Sequence, residues 1–216
     1  MECHYIGAVG NIFSQASIEL CQKWPYDVGL FKQNVKTSCG VDAGFGSSKF
    51  AIVITQLFDN RIHVMFAEEY DRPNFNEMIA KVWELKQQCG HVSNIMVDAA
   101  NPEIIEALKR EFGESTDWNY IHDRIAWCRK YNQFVEDSMF IVPVPFSVEG
   151  RKMLQHTKYL LEDPEGLVAI HPSFQKLLIS LRTAVATEYK LDKSQTSHND
   201  CLDAFMLSLQ FYKRTK

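Results

Sequence analysis

Cys39-Gly40-Val41-Asp42-Ala43-Gly44-Phe45-Gly46-Ser47-Ser48-Lys49-Phe50-Ala51-Ile52-Val53-Ile54 is the stretch on which the fold turns. A short apolar segment ends in an acid, passes through glycines and serines, and leaves as a β-branched run. That is the pattern of two strands joined by a short turn. Asp59-Asn60 marks a second turn, and Arg61-Ile62-His63-Val64-Met65-Phe66-Ala67 reads as a third strand. Three successive strands on short turns make an antiparallel meander.

Beyond the meander the period changes. Phe75 to Gln88 keeps Met78, Ile79, Val82 and Leu85 at helical spacing, with Gly90 as a stop. Asn94–Val97 is a short apolar strand ending in Asp98, and Pro102 stands where a helix starts. Met139–Pro145 predicts a strand, Met153–Leu161 a helix, Leu167–Ile170 a strand, and Ser173 to about Tyr189 a helix. A last helix begins near His198-Asn199 and carries Leu202, Phe205, Met206 and Leu209 on one stripe. On the N-terminal side, a Gly10-Asn11 turn, a short helix from Ser14 to Lys23 and a Trp24-Pro25 break form a preamble. Three antiparallel strands followed by alternating helix and strand imply an α/β mixed sheet covered by helices.

Composition narrows the function. The chain has 216 residues, 46% hydrophobic and 23% charged, ordinary values for a globular domain. Its apolar runs, Phe50–Phe58 and Met139–Phe146, fall well short of the roughly 20 residues a membrane helix needs. Met1-Glu2-Cys3-His4-Tyr5 lacks the basic start and apolar run of a secretory signal, which leads us to expect a soluble intracellular protein. The six cysteines are scattered without a CxxC pair, which excludes the usual zinc frameworks and leaves reduced, mostly buried thiols. Net charge is −4, with 13 basic and 19 acidic residues in 1–146 against 10 and 8 in 147–216. A protein that coats nucleic acid is strongly basic, so any such contact here must be a local groove.

Several acids sit at the ends of elements. Asp42 closes the first strand, Asp98 closes a later strand, and Asp200 and Asp203 lie three residues apart at the start of the last helix, on one face. If tertiary structure gathers them, the carboxylates repel one another, and a hard divalent cation such as Mg²⁺ or Mn²⁺ is the natural compensation. Each acid also has an ordinary reading. Asp42 suits a glycine turn, Asp98 could cap the next helix through a turn, and Asp200 and Asp203 complement a helix N-terminus.

Jointly, the segments Gly40–Ser48, Val97-Asp98-Ala99-Ala100-Asn101-Pro102 and His198-Asn199-Asp200-Cys201-Leu202-Asp203-Ala204 resemble the nuclease domain of viral large terminase subunits, within the RNase H-like nucleases. The run from Val144-Pro145-Phe146-Ser147 through Leu167–Ile170 to Leu177–Ala184 is similar to the strand-helix-strand-helix passage before that family's last acidic motif. The resemblance covers about residues 37–213. It implies residues 1–36 as an N-terminal connector and 37–216 as an RNase H-like nuclease domain. Asp42, Asp98, Asp200 and Asp203 match the family's catalytic metal-ligand positions, with Asp203 as ligand or support. His198, just before the last helix, reads as an N-terminal polar cap more than as a ligand, and the Glu68-Glu69 pair reads as a solvated strand end, near where the sheet could present a fourth carboxylate.

The implied chemistry is two-metal phosphodiester hydrolysis, with ions about 3.5–4 Å apart and Asp42 bridging them. The implied substrate is concatemeric double-stranded viral DNA, cut during genome packaging in the cytoplasm of an infected host cell. Implied partners are a terminase ATPase domain, a small terminase subunit and a portal ring. No GxxxxGK[ST] loop occurs, so the motor itself is not in this sequence. Lys49, Arg124, Arg129, Lys130, Arg151 and Lys152 are the candidates for holding the DNA backbone, several of them interleaved with aromatics. The same acids would suit a Holliday-junction resolvase or a transposase core, and a catalytically idle portal-docking module is a further alternative. The Asp42–Lys49 loop also resembles the first phosphate loop of actin-like ATPases, whose second subdomain and nucleotide loop are not visible in the sequence.

Overall fold

Alternation along the strands sorts side chains onto two faces, because successive residues of a strand point oppositely. The computed structural model describes residues 10–44, 49–71, 73–89, 92, 94–112, 140–187 and 190–212. Its central sheet is built from β1 (Lys36–Asp42), β2 (Phe50–Phe58), β3 (Arg61–Tyr70), β4 (Asn94–Asp98), β5 (Phe140–Val144) and β6 (Val168–Ala169). The strand order is β5-β4-β1-β2-β3-β6. β2 runs antiparallel to both its neighbours, while β4 is parallel to β1, β5 to β4 and β6 to β3. This is the mixed sheet that the meander and the later βα units imply.

Two hydrophobic layers sandwich the sheet. On one face Val41, Ile52, Ile54, Ile95, Val97 and Ile141 pack with α2 (Phe75–Cys89) and α3 (Pro102–Phe112). On the other, Ala51, Val53, Val64, Met96 and Val142 pack with α1 (Gln15–Cys21), α4 (Phe146–Leu161), α5 (Gln175–Thr183) and α6 (Asn199–Leu209). Every residue of α6 from Asp200 to Leu209 is buried, so this helix is central to its layer. Gly40 lets it come close: a Cβ there would lie 1.9 Å from the Ala204 carbonyl oxygen.

The N-terminal residues share this core. Ser14 caps α1 by accepting from the Ser17 N–H, and Ile12, Phe13, Ile18 and Cys21 bury in the α6-side layer. The helix expected from Ser173 to about Tyr189 is shorter than its periodicity suggests. α5 ends at Thr183, Ala184 turns extended, and its carbonyl accepts from the Ile12 N–H at 2.9 Å. Val185 then bridges Asn11, and β7 (Ala186–Thr187) pairs with β8 (Lys190–Leu191). β-branched Val185 and Thr187 favour extension, and pairing with the N-terminal segment secures it. The helix expected over Met153–Leu161 begins earlier, at Phe146, directly after Pro145. Cys21, Cys39, Cys89 and Cys201 are free and buried, as scattered thiols suggest; Cys3 and Cys128 lie outside the described residues. Among the described residues no helix is long and apolar enough to cross a membrane.

Candidate functional site

One rung at the end of the sheet gathers the acids. Parallel pairing sets Val41 opposite Val97, so the next residues, Asp42 and Asp98, end neighbouring strands side by side. Antiparallel pairing then sets Asp42 opposite Ala51, and Ala51 opposite Glu69. Strand parity puts these positions on the face covered by α6, since Ala51 and Met96 belong to that layer. The first turns of α6 bring Asp200 and Asp203 over the same rung. Small Ala51 leaves space between Asp42 and Glu69, whose strands are two spacings, about 10 Å, apart.

Burial makes this cluster electrostatically costly. Asp42 is 6% exposed and Asp203 2%. Burial, and then the carboxylates of Asp203 and Asp200, push the Asp42 carboxyl up to about 8. Burial lifts Asp203 to about 6 against the opposing pull of Lys193. Asp200 is raised by burial as well, although it accepts the Lys49 backbone N–H at 3.2 Å. The Gly44 N–H donates to Asp42 Oδ1 at 3.3 Å, with Gly44 at φ +45°, which is why the turn needs glycine. Asp98 accepts from the Ala100 N–H at 3.0 Å, an Asx turn at the strand end.

A second layer of charge flanks the rung. Glu69 has a side chain only 1% exposed, yet Lys49 Nζ lies 2.8 Å from it and His198 Nδ1 3.1 Å. Burial raises the Glu69 carboxyl, but Lys49 and His198 outweigh it and hold it below its usual value. His198 takes a left-handed backbone, φ 51°, immediately before α6, and that bend turns its ring to Glu69. Glu68 starts on the opposite side of the strand by parity, is half-exposed, and pairs at the sheet edge with Lys176 of α5. Of the acidic pair in the sequence, only Glu69 joins the cluster.

The anticipated backbone-binding residues are placed as follows. Lys49 engages Glu69 and Asp71 with its ammonium. Arg151 and Lys152 lie exposed on α4, where Lys152 pairs with Glu149 at 3.1 Å. Arg124, Arg129 and Lys130 lie outside the described residues. Sequence reasoning missed Lys193, whose Nζ stands 2.6 Å from Asp203 Oδ2. Nothing in the Asp192-Lys193-Ser194 stretch flags it, because its partner is fixed only by the tertiary fold.

The donor set suits a hard divalent ion: four carboxylates, three of them buried and held above their ordinary range by burial. Among the described residues no three His, Cys, Asp or Glu side chains close around a single point as they stand. Lys193 instead pairs with one of the carboxylates, Asp203.

Comparison with known proteins bears on the fold. No protein-family model matches the sequence, and no curated protein does. Solved structures do. The large terminase nuclease domain of Thermus phage P74-26 superposes with a TM-score of 0.63 at 16% identity, over 96% of this chain and 98% of that one. The large terminase nuclease of thermophilic phage G20c, solved with bound magnesium, gives 0.61 at 16% identity over 95% of this chain and 100% of that one. The full HK97 bacteriophage large terminase gives 0.64 at 16% identity; 95% of this chain matches 44% of that chain. At this identity the likeness defines the fold, and the chain has the RNase H-like fold of large terminase nuclease domains.

Proposed function

We propose that this protein is a divalent-metal-dependent DNA endonuclease of the terminase type, cleaving concatemeric double-stranded viral DNA during genome packaging. The observation that carries the reading is the rung Asp98-Asp42-Ala51-Glu69 facing Asp200 and Asp203 of α6, in a fold shared with terminase nucleases. In this reading Asp42, Asp98, Asp200 and Asp203 hold Mg²⁺ or Mn²⁺, two ions in the full complement. Bound there, the ions would acidify a water and stabilise the leaving oxygen of a phosphodiester.

The chain's own residues prepare that chemistry. Asp42 and Asp203 are anchored by a strand end and a helix, so their backbones already stand where their carboxylates could turn toward an ion. Glu69, held by Lys49 and His198, braces the start of α6 and with it Asp200. Arg151 and Lys152, together with Arg124, Arg129, Lys130 and Lys49, are proposed to follow the phosphate backbone, which carries no base identity. In this reading residues 37–216 are the nuclease domain and 1–36 a connector, whose Ile12, Phe13, Ile18 and Cys21 pack into the shared core. A terminase ATPase domain, a small terminase subunit and a portal are the proposed partners, in the cytoplasm of an infected host cell.

The distinguishing experiment offers closed circular duplex DNA and a synthetic four-way junction side by side, with Mn²⁺. Cutting of the duplex with no preference for the junction is expected. Exclusive cutting at the junction would replace the terminase reading with a resolvase.

A further inference from the structure

We propose that Lys193 is a tethered cation: it neutralises the carboxylate cluster when divalent ions are scarce, and it must release Asp203 before the cluster takes an ion up. The inference rests on reading the cluster as a metal centre.

Geometry supplies the grounds. Lys193 Nζ lies 2.6 Å from Asp203 Oδ2, a carboxylate only 3% exposed along its side chain. Its influence extends further: Asp203, Asp42 and Asp200 all act on the Lys193 ammonium. One positive charge, in contact with Asp203, therefore also acts at longer range on Asp42 and Asp200. Lys49, a second cation near the cluster, is engaged elsewhere, its ammonium on Glu69 and Asp71.

The anchor and the arm differ in rigidity. Asp192, directly before Lys193, accepts from the Ser194 N–H at 3.0 Å, from Ser194 Oγ at 2.6 Å and from Gln195 Nε2 at 2.9 Å. Its own N–H donates to the Val185 carbonyl at 2.8 Å, and Thr196 bonds back to its carbonyl through both N–H and hydroxyl. The backbone is thus tied on both sides. The Lys193 side chain is 58% exposed, so release of Asp203 calls for side-chain rotation rather than movement of this backbone. An ammonium and a divalent ion compete for the same carboxylate oxygen, and both are strongly hydrated when displaced. The doubly charged ion prevails once its concentration is high enough, so Lys193 sets a threshold for loading.

Mn²⁺ titration followed by calorimetry and by thermal melting, near pH 7.5, tests the inference on the intact chain. Lys193→Met is expected to bind Mn²⁺ roughly tenfold more tightly than the parent protein, because the competing charge is gone. In EDTA the same variant is expected to melt below the parent, and saturating Mn²⁺ to close that gap. Lys193→Arg keeps a competing cation and is expected to retain weak binding. Equal or weaker Mn²⁺ affinity in Lys193→Met, with the parent binding, would overturn the tethered-cation role and leave the metal centre standing. Failure of both proteins to bind Mn²⁺ would overturn the metal centre and the inference together.

Discussion

Replacing Asp42 by Asn should stabilise the metal-free protein at alkaline pH while destroying its chemistry. Asp42 is 6% exposed, and burial with the Asp203 and Asp200 carboxylates holds its carboxyl up to about 8, against 3.8 for a free side chain. Between those values the folded state keeps a proton that the unfolded state has lost. The native state then binds more protons, so stability falls as pH rises from about 4 toward 8. Four units at about 1.36 kcal/mol each set a ceiling of about 5 kcal/mol. With the effective dielectric of a real protein interior, about 2 kcal/mol is a sounder expectation. Asparagine is neutral throughout, has the same shape and still accepts from the Gly44 N–H. Thermal unfolding in EDTA should therefore place Asp42→Asn about 4–8 °C above the parent at pH 8 and level with it near pH 4.5. Saturating Mn²⁺ should reverse the order at pH 8, since only the parent has the full ligand set. Equal melting temperatures at pH 8 in EDTA, or the same offset at both pH values, would refute the repulsion argument.

Other perturbations probe the frame around the cluster. Gly40→Ala would place a Cβ 1.9 Å from the Ala204 carbonyl oxygen and 2.6 Å from the Ser208 nitrogen, so α6 must lift from β1; a loss of about 4 kcal/mol or more is expected in urea titration. Glu69→Gln removes the charge facing Lys49 and His198, which should cost about 1–3 kcal/mol at neutral pH. Because Glu69 is held below the usual 4.5, its contribution is present above that value and lost as pH falls through its lowered folded value. The two proteins should converge in acid, which a pH series of melting curves would read directly.

Much of this arrangement is legible in the chain, and the limits have identifiable causes. The glycine turn after Asp42, the Asp59-Asn60 turn and the helical stripe of α6 announce the sheet and its covering helix. Asp42 and Asp98 declare themselves as strand ends. Glu69 does not, because its face depends on a bulge. From the Asp59-Asn60 turn, pairing runs Phe58 opposite Arg61 down to Thr55 opposite Val64, then skips to Ile54 opposite Phe66. Without the extra residue Met65, Ala51 would face Glu68, and Glu68 would be the buried acid. A one-residue slip in register exchanges the faces of a strand, and no pattern in Val64-Met65-Phe66 records it. Lys193 is invisible for a related reason: an exposed lysine in a turn is commonplace, and only the approach of α6 gives it a buried partner. The early end of α5 shows pairing with the N-terminal segment prevailing over helical periodicity.

The central claim is that these acids form one metal-dependent cleavage centre, and supercoiled plasmid tests it most directly. Parent protein and Asp42→Asn, both confirmed as folded, are incubated with the plasmid in Mg²⁺, Mn²⁺ or EDTA, and the circular and linear products are resolved. Nicking and linearisation by the parent with either ion, absent in EDTA and absent in Asp42→Asn, is the expected result. Cutting that persists in EDTA, or equal cutting by the two proteins, would contradict it.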